Sequence, residues 1–149
     1  MNGDNINDIY VDGGDRIWLA NYPAGVTIRN NRYQSYEWFR HSPGNSRSLV
    51  NDQVHDVIED SEGDLWFATS NGISLLQPAV GRWRSFLSRS DGIQDGGNHI
   101  FLTLCEVSPG VICAGGYASG LYRIEKKTGR VEYFPPILCS RGASRPVYQ

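Results

Sequence analysis

Lysine is nearly absent from this 149-residue chain: two Lys stand against twelve Arg, and the net charge is -2. Such a balance offers no basic surface, so nucleic acid is not expected as a partner of this segment. Long apolar runs are missing as well. None approaches the ~20 residues of a spanning helix, so no membrane segment is expected in this chain. The opening residues, MNGDNINDIY, lack a basic region followed by an apolar stretch, and no secretory leader is read in them. No stretch follows a 3.6-residue period, which argues against helices. Cysteine is scarce and odd in number (Cys105, Cys113, Cys139), which speaks against a disulfide framework. His41, His55 and His99 are far apart and have no second ligand at metal spacing. Nucleophile-elbow, zinc-protease and phosphate-loop motifs are all missing. Asp12-Gly13-Gly14-Asp15 carries part of a calcium loop without its other ligands and reads as a tight turn. Neither a cofactor, nor a metal, nor a catalytic residue is therefore expected.

Turn formers and aromatics are plentiful. Seventeen Gly and seven Pro point to many short elements, and 17 aromatic side chains supply enough apolar area for a folded chain. The length alone suggests one domain. A repeat changes that reading. NDIYVDGGDRIWLA at 7–20 lies over HDVIEDSEGDLWFA at 55–68, which brings Asp8 onto Asp56, Asp12 onto Asp60 and Trp18 onto Trp66. Gly63 falls opposite Asp15 rather than Gly14. Further along, Gly25 lies over Gly72 and Phe39 over Phe86. A weaker third copy starts at FLTLCEVSPGVICAGG, with Gly120 and Phe134 as the next members; aligned on Gly63 and Gly110, Cys113 takes the place of the tryptophan.

Each copy reads as four short strands. In the second, VHDVIED ends at the turn SEG, DLWFATS ends at the hairpin signal Asn71-Gly72, and GISLLQP and RWRSF complete the set. Four antiparallel strands per ~45 residues, repeated, are the mark of β-propeller blades. The expected fold is all-β: three four-stranded antiparallel blades at about 5–40, 53–87 and 99–134, then an irregular tail at 135–149. Trp18, Trp66, Phe39, Phe86 and Phe134 are expected to pack between blades.

The string VHDVIEDSEGDLWFATSNGI, entered through SLVND, resembles the two-component regulator propeller repeat. Asp12, Gly14, Trp18 and Gly25, then Asp60, Gly63, Trp66 and Gly72, carry the likeness, which spans about 5–134. The third copy departs from it at Pro109-Gly110 and Cys113. The resemblance implies a non-catalytic piece of a periplasmic sensor in a Bacteroides-type hybrid two-component system, sensing a glycan-derived ligand to control polysaccharide use. It also implies more blades, a membrane segment, a kinase and a regulator elsewhere in the full polypeptide. Two other functions stand beside it: a propeller lyase of the streptogramin-inactivating type, which has a similar G-x-L-W-F strand, and a structural protein-interaction ring.

By repeat arithmetic the chain holds three whole blades and stops where a fourth would start, like an excised piece or a truncated gene product. Closed propellers have four to eight blades. Two copies joined head to tail would close a six-bladed ring, so a homodimer is the expected partner state. In propellers the inter-blade linker and the loop between second and third strands share the ligand face. The residues placed there are Asn21, Tyr22, Arg47, Asn71, Arg89, His99 and Tyr117, suited to an oligosaccharide. His41, Asn45, Asn51, Asp52, Asp91 and Asn98 lie in the same linkers, and Tyr22 and Tyr117 read as lying outside strands. His55 is expected to share a strand face with Val57 and to line or pack. Cys105 and Cys113 are placed to face each other across a hairpin, as free thiols or as a disulfide.

Overall fold

The computed structural model describes residues 5–89 and 98–136; Asp91, Cys139 and the end of the chain lie outside the described residues. Among the described residues, twelve strands form three separate sheets. The first holds β1 (Asn5–Val11), β2 (Arg16–Tyr22), β3 (Gly25–Asn30) and β4 (Ser35–Phe39). The second holds β5 (Val54–Glu59), β6 (Leu65–Thr69), β7 (Gly72–Gln77) and β8 (Arg82–Phe86). The third holds β9 (Phe101–Ser108), β10 (Val111–Gly116), β11 (Gly120–Glu125) and β12 (Val131–Phe134). Every neighbouring pair is antiparallel and consecutive in the chain, so each sheet is an up-and-down meander of the propeller-blade kind. Among the described residues no helix is long and apolar enough to cross a membrane.

The repeat residues shape the turns. Gly25, Gly72 and Gly120 have φ of 85°, 103° and 95°, and a Cβ on any of them would run into the carbonyl oxygen of Phe39, Phe86 or Phe134 respectively. Only glycine allows the fourth strand to close that tightly over the second hairpin. The one-place slip at the first turn is also resolved. Asp15 has φ 57° where Gly63 has 82°, so the aspartate adopts the left-handed conformation itself.

A single aspartate organises each of the first two turns. Asp12 Oδ1 accepts the amides of Gly14 and Arg16, and its Oδ2 accepts Trp18 Nε1 at 2.8 Å and Arg16 Nε at 2.7 Å. Asp60 repeats the pattern with the amides of Glu62 and Asp64 and with Trp66 Nε1 at 2.8 Å. Each tryptophan is thus held by its ring nitrogen at the bottom of the blade while its rings enter the seam. Trp18 stacks with Phe39, and Trp66 with Phe86.

Two cores result, one in each seam. Between blades one and two lie Trp18, Ala20, Val26 and Ile28 on one side and Val54, Val57, Leu65, Phe67 and Leu76 on the other. Between blades two and three, Trp66, Ala68, Ile73, Leu75 and Phe86 meet Phe101, Leu104, Ile112, Ala114, Tyr122 and Ile124. Polar ties cross both seams at matched places. Asp8 Oδ2 accepts Val57 N–H at 3.0 Å, and Asp56 Oδ2 accepts Leu104 N–H at 2.6 Å. The second seam has a further tie. Lys126 is buried, and its Nζ meets Asp60, Glu62 and Asp64 at 2.6, 2.7 and 2.8 Å.

The third copy keeps the register but not the chemistry. Cys113 faces Cys105 and Arg123 just as Trp66 faces Ile58 and Leu75, so the cysteine does occupy the tryptophan place. Both cysteines are free. Phe134 departs from expectation: it is 47% exposed, because among the described residues no blade covers that side of the third sheet.

These contacts rank the two turn aspartates. Burial pushes the Asp60 carboxyl up, but Lys126, Trp66 and the Asp64 amide together hold it below the usual carboxylate range; burial likewise acts on Asp12 and is outweighed by Trp18, Arg16 and Gly14. Asp60→Ala strips a buried ammonium of its closest partner and should cost about 3–5 kcal/mol in urea unfolding. Asp12→Ala leaves the buried Trp18 indole N–H without its acceptor, but the cation it frees, Arg16, is half-exposed, so it should cost about 1–3 kcal/mol. Both carboxyls are depressed in the folded state. Their contribution is therefore complete above the ordinary value near 3.8 and is lost as pH falls through the folded values. An unfolding series from pH 5 to 2 on the two variants should show a flatter acid limb than the parent chain.

Candidate functional site

Strands β1, β5 and β9 begin at the end of the sheets where the second-to-third-strand turns lie, as the pairs Asn5↔Tyr22, Val54↔Thr69 and Phe101↔Gly116 require. A register shift sits just inside the start of each first strand, at Asn7 in β1, at His55 in β5 and at Leu102 in β9. A bulge re-aims the side chain it carries. His55 and Val57 both turn toward the first blade, Val57 into the seam core and His55 at its end. His55 meets Tyr22 of the first blade, with ring centroids 5.7 Å apart, and its Nε2 lies 2.8 Å from Ser70 Oγ.

The proton on His55 is assigned by its neighbours. Asn7 Nδ2 donates to Val54 O at 3.0 Å and faces His55 Nδ1 at 3.5 Å. An N–H directed at Nδ1 makes that nitrogen the acceptor, so Nε2 carries the proton and donates to Ser70 Oγ. The serine hydroxyl is therefore not deprotonated by this histidine, as a nucleophile would need. Burial also holds the His55 pKa below its ordinary value.

Next to Ser70 the strip continues into the second seam. Asn71 Oδ1 accepts Arg89 N–H at 3.4 Å, and the Asn71 amide donates to Thr69 Oγ1. His99 Nδ1 lies 2.8 Å from Leu87 O, and His99 O accepts Gly72 N–H at 2.7 Å. A carbonyl only accepts, so Nδ1 of His99 carries the proton and Nε2 is the acceptor. Beyond it, the Tyr117 amide donates to Ile100 O at 2.8 Å and the side chain is exposed. Ser119, in the same turn, has a buried Oγ with no hydrogen-bond partner. Tyr22, His55, Ser70, Asn71, Arg89, His99 and Tyr117 thus follow one another across two seams at one end of the sheets.

Two of the residues expected at a site are outside the strip, Asn21 by its burial and Arg47 by its place. Asn21 is buried, and its Nδ2 is used on Thr27 Oγ1 at 2.7 Å and on Leu19 O. Arg47 lines a cleft of about 390 Å³ with Val80, Gly81 and Trp83, beside the third-to-fourth-strand turn of blade two. Tyr22 is the last residue of β2 rather than a loop residue. The linker residues His41 and Asp52 hold the chain path: Asp52 Oδ1 accepts His41 N–H at 2.5 Å, and His41 Nδ1 meets Leu49 O at 2.7 Å.

Further inside, Asp56 lies beside Asp8 and Thr103. Burial raises the Asp56 carboxyl, the Leu104 amide draws it down, and neighbouring Asp8 pushes it up again. Among the described residues no group of three or more His, Cys, Asp or Glu could hold a metal ion.

Residues 48–71 match the family model described as two component regulator propeller, which bears out the resemblance over the second repeat. No curated protein sequence matches the chain. Among solved structures, the extracellular domain of the hybrid two component system BT3049 from B. thetaiotaomicron superposes with a TM-score of 0.76 at 23% identity, over 87% of this chain. That of BT4673 from the same organism gives 0.68 at 19% identity, over 90%. These likenesses establish the propeller fold. The chain spans only 18% and 17% of those two structures.

The His55 assignment has a measurable consequence. Its folded pKa lies below 6.5, so the folded state binds fewer protons than the unfolded chain and loses stability as pH falls below about 6.5. An NMR titration of the ring carbons should give a His55 midpoint under 6.5, and the nitrogen shifts should show the proton on Nε2 for His55 and on Nδ1 for His99. The opposite tautomer at His55 would leave Ser70 activated and contradict the assignment.

Proposed function

We propose that this chain is a segment of the extracytoplasmic sensor propeller of a hybrid two-component system, and that it binds an oligosaccharide without chemically altering it. The contiguous strip from Tyr22 to Tyr117 carries the reading. It offers an exposed aromatic face at Tyr117, a second ring at Tyr22 and hydrogen-bonding side chains between them, the combination that suits sugar rings and their hydroxyls. The match to the two component regulator propeller over residues 48–71 supports the sensor role, as does the fold shared with extracellular domains of such systems. Ligand binding across two seams would bias the relative packing of three blades, a shift of population between states of the longer protein. The lyase alternative calls for a histidine base. His55, the histidine in contact with a serine hydroxyl, presents its proton to that hydroxyl rather than a lone pair.

A thermal-shift screen against oligosaccharides of several backbone classes tests the proposal. One class should raise the melting temperature. Tyr117→Ala should then weaken that ligand about tenfold, or ~1.4 kcal/mol, without changing the melting temperature of the free chain. A panel in which no sugar binds, or in which a bound sugar is cleaved, would sink the proposal.

A further inference from the structure

In blades one and two the hairpin between the first and second strands is clamped across its turn. Each turn holds a left-handed residue, Asp15 or Gly63. Three places before it stands the aspartate, Asp12 or Asp60, and three places after it the tryptophan whose indole that aspartate holds, Trp18 or Trp66. The strand partner of each tryptophan is a large first-strand residue, Tyr10 or Ile58. Blade three replaces the whole set. Around its left-handed Gly110, the aspartate place is taken by Val107, which is 55% exposed, the tryptophan place by Cys113, and the strand partner of Cys113 is Cys105. Glu106 still caps this turn by accepting the Gly110 amide at 3.0 Å, but its other bonds go to Ser61 of blade two, and there is no indole at position 113 for a carboxylate to hold.

The two cysteines meet the requirements of a cross-strand bridge. Residues directly opposite in an antiparallel pair have Cα atoms about 4.5–5.5 Å apart and project from the same face. A disulfide spans Cα separations of about 4.4–6.8 Å. The face concerned is the one turned away from the second seam, because Ile112 and Ala114, which flank Cys113 along β10, lie in that seam's core. Both thiols are free, Cys105 exposed and Cys113 half-buried. Burial pushes the Cys113 thiol up and the nearby Cys105 sulfur pushes it further, against the pull of Arg123. Each sulfur is thus within reach of the other's charge.

We propose that Cys105 and Cys113 are a redox modification site, closed to a disulfide by an external disulfide oxidant and reopened by thiols, and that the bridge gives blade three the hairpin clamp that aspartate and tryptophan give the other two. The exposed Cys105 sulfur, as thiolate, attacks the S–S bond of the oxidant, forming a mixed disulfide and releasing one thiolate. The Cys113 sulfur, once deprotonated, attacks the Cys105 sulfur and releases the second. Two protons leave the cysteines and two electrons pass to the oxidant, which departs as two thiols. An oxidising compartment outside the cytoplasm holds the pair closed. The site stands whether or not the strip at the other end of β10 binds a sugar.

The test uses Cys139→Ser, which leaves this pair as the only thiols of the chain. Folded and treated with oxidised glutathione, it should become a monomer two hydrogens lighter, with neither thiol open to maleimide and with positions 105 and 113 joined in the peptide map. The bridged form should melt about 5–10 °C above the reduced one, and dithiothreitol should reverse the shift. Cys105→Ser and Cys113→Ser in the same background should keep the far-ultraviolet spectrum of the reduced chain and show no such shift. The unaltered chain, mapped in the same way, carries the same expectation for the bridge. Thiols that stay open to maleimide in the folded chain, a bridge between chains, or a bridge that forms only in urea would overturn the proposal. A bridge that leaves the melting temperature unchanged would overturn its role as a clamp.

Discussion

The carboxylate just past the first strand of blades one and two is the constraint on which the rest of the structure hangs. Asp12 and Asp60 each accept two turn amides on one oxygen and a tryptophan indole on the other. A buried carboxylate of this sort is stable only when its lone pairs are filled. Filling them ties the tight turn to the aromatic ring that enters the seam. Local backbone geometry and inter-blade packing are thus set by one side chain. The spacing of six residues from Asp to Trp follows, because the turn and the start of the second strand must separate them.

The seam does the work that a central core does in other small folds. Each blade is a single sheet that cannot bury its apolar side chains alone. Trp66 with Phe86 fills one seam, and Trp18 with Phe39 and Phe67 the other. Polar groups cross the seams only where they meet a matched partner: Asp8 and Asp56 on edge-strand amides, Tyr10 on Glu59, Lys126 on three carboxylates. Glu106 adds a further grip on the second-blade turn through the Ser61 amide and hydroxyl. The blades are therefore fixed in register as well as in contact, and the strip of side chains over the seams inherits that rigidity.

Much of this was legible in the residues. The 48-residue offset located the blades, and the Asp, Trp, Gly and Phe places of the repeat coincide with the turns and seams in the structure. Even the placement of Cys113 on the tryptophan position follows from counting between turn glycines. What the pattern could not reveal was long-range or geometric. Lys126 sits just past the end of its blade's third strand, beside the turn Thr128-Gly129, where nothing in the pattern marks it as buried, and its partner Glu62 is 64 residues away. His55 reads as a lining or packing residue, because nothing in the local pattern shows that Tyr22, Asn7 and Ser70 converge on its ring. The repeat did hold a signal for it, since Asn7 falls at the same place and also carries a polar side chain at the seam. Phe134 shows the converse: a residue can hold the right repeat place and still be exposed when the neighbouring blade is not there to cover it.

The account's central claim is that aspartate, turn and tryptophan form one cooperative unit in each of the first two blades. Hydrogen exchange at the indole nitrogens reads it directly. The Nε1 protons of Trp18 and Trp66 should be among the slowest in the chain, exchanging together with the amides of the seam strands β6 and β7, while that of exposed Trp38 exchanges at the rate of a free indole. If Trp18 and Trp66 exchanged as fast as Trp38 in a chain whose strand amides stay protected, the carboxylate would not be the anchor described here.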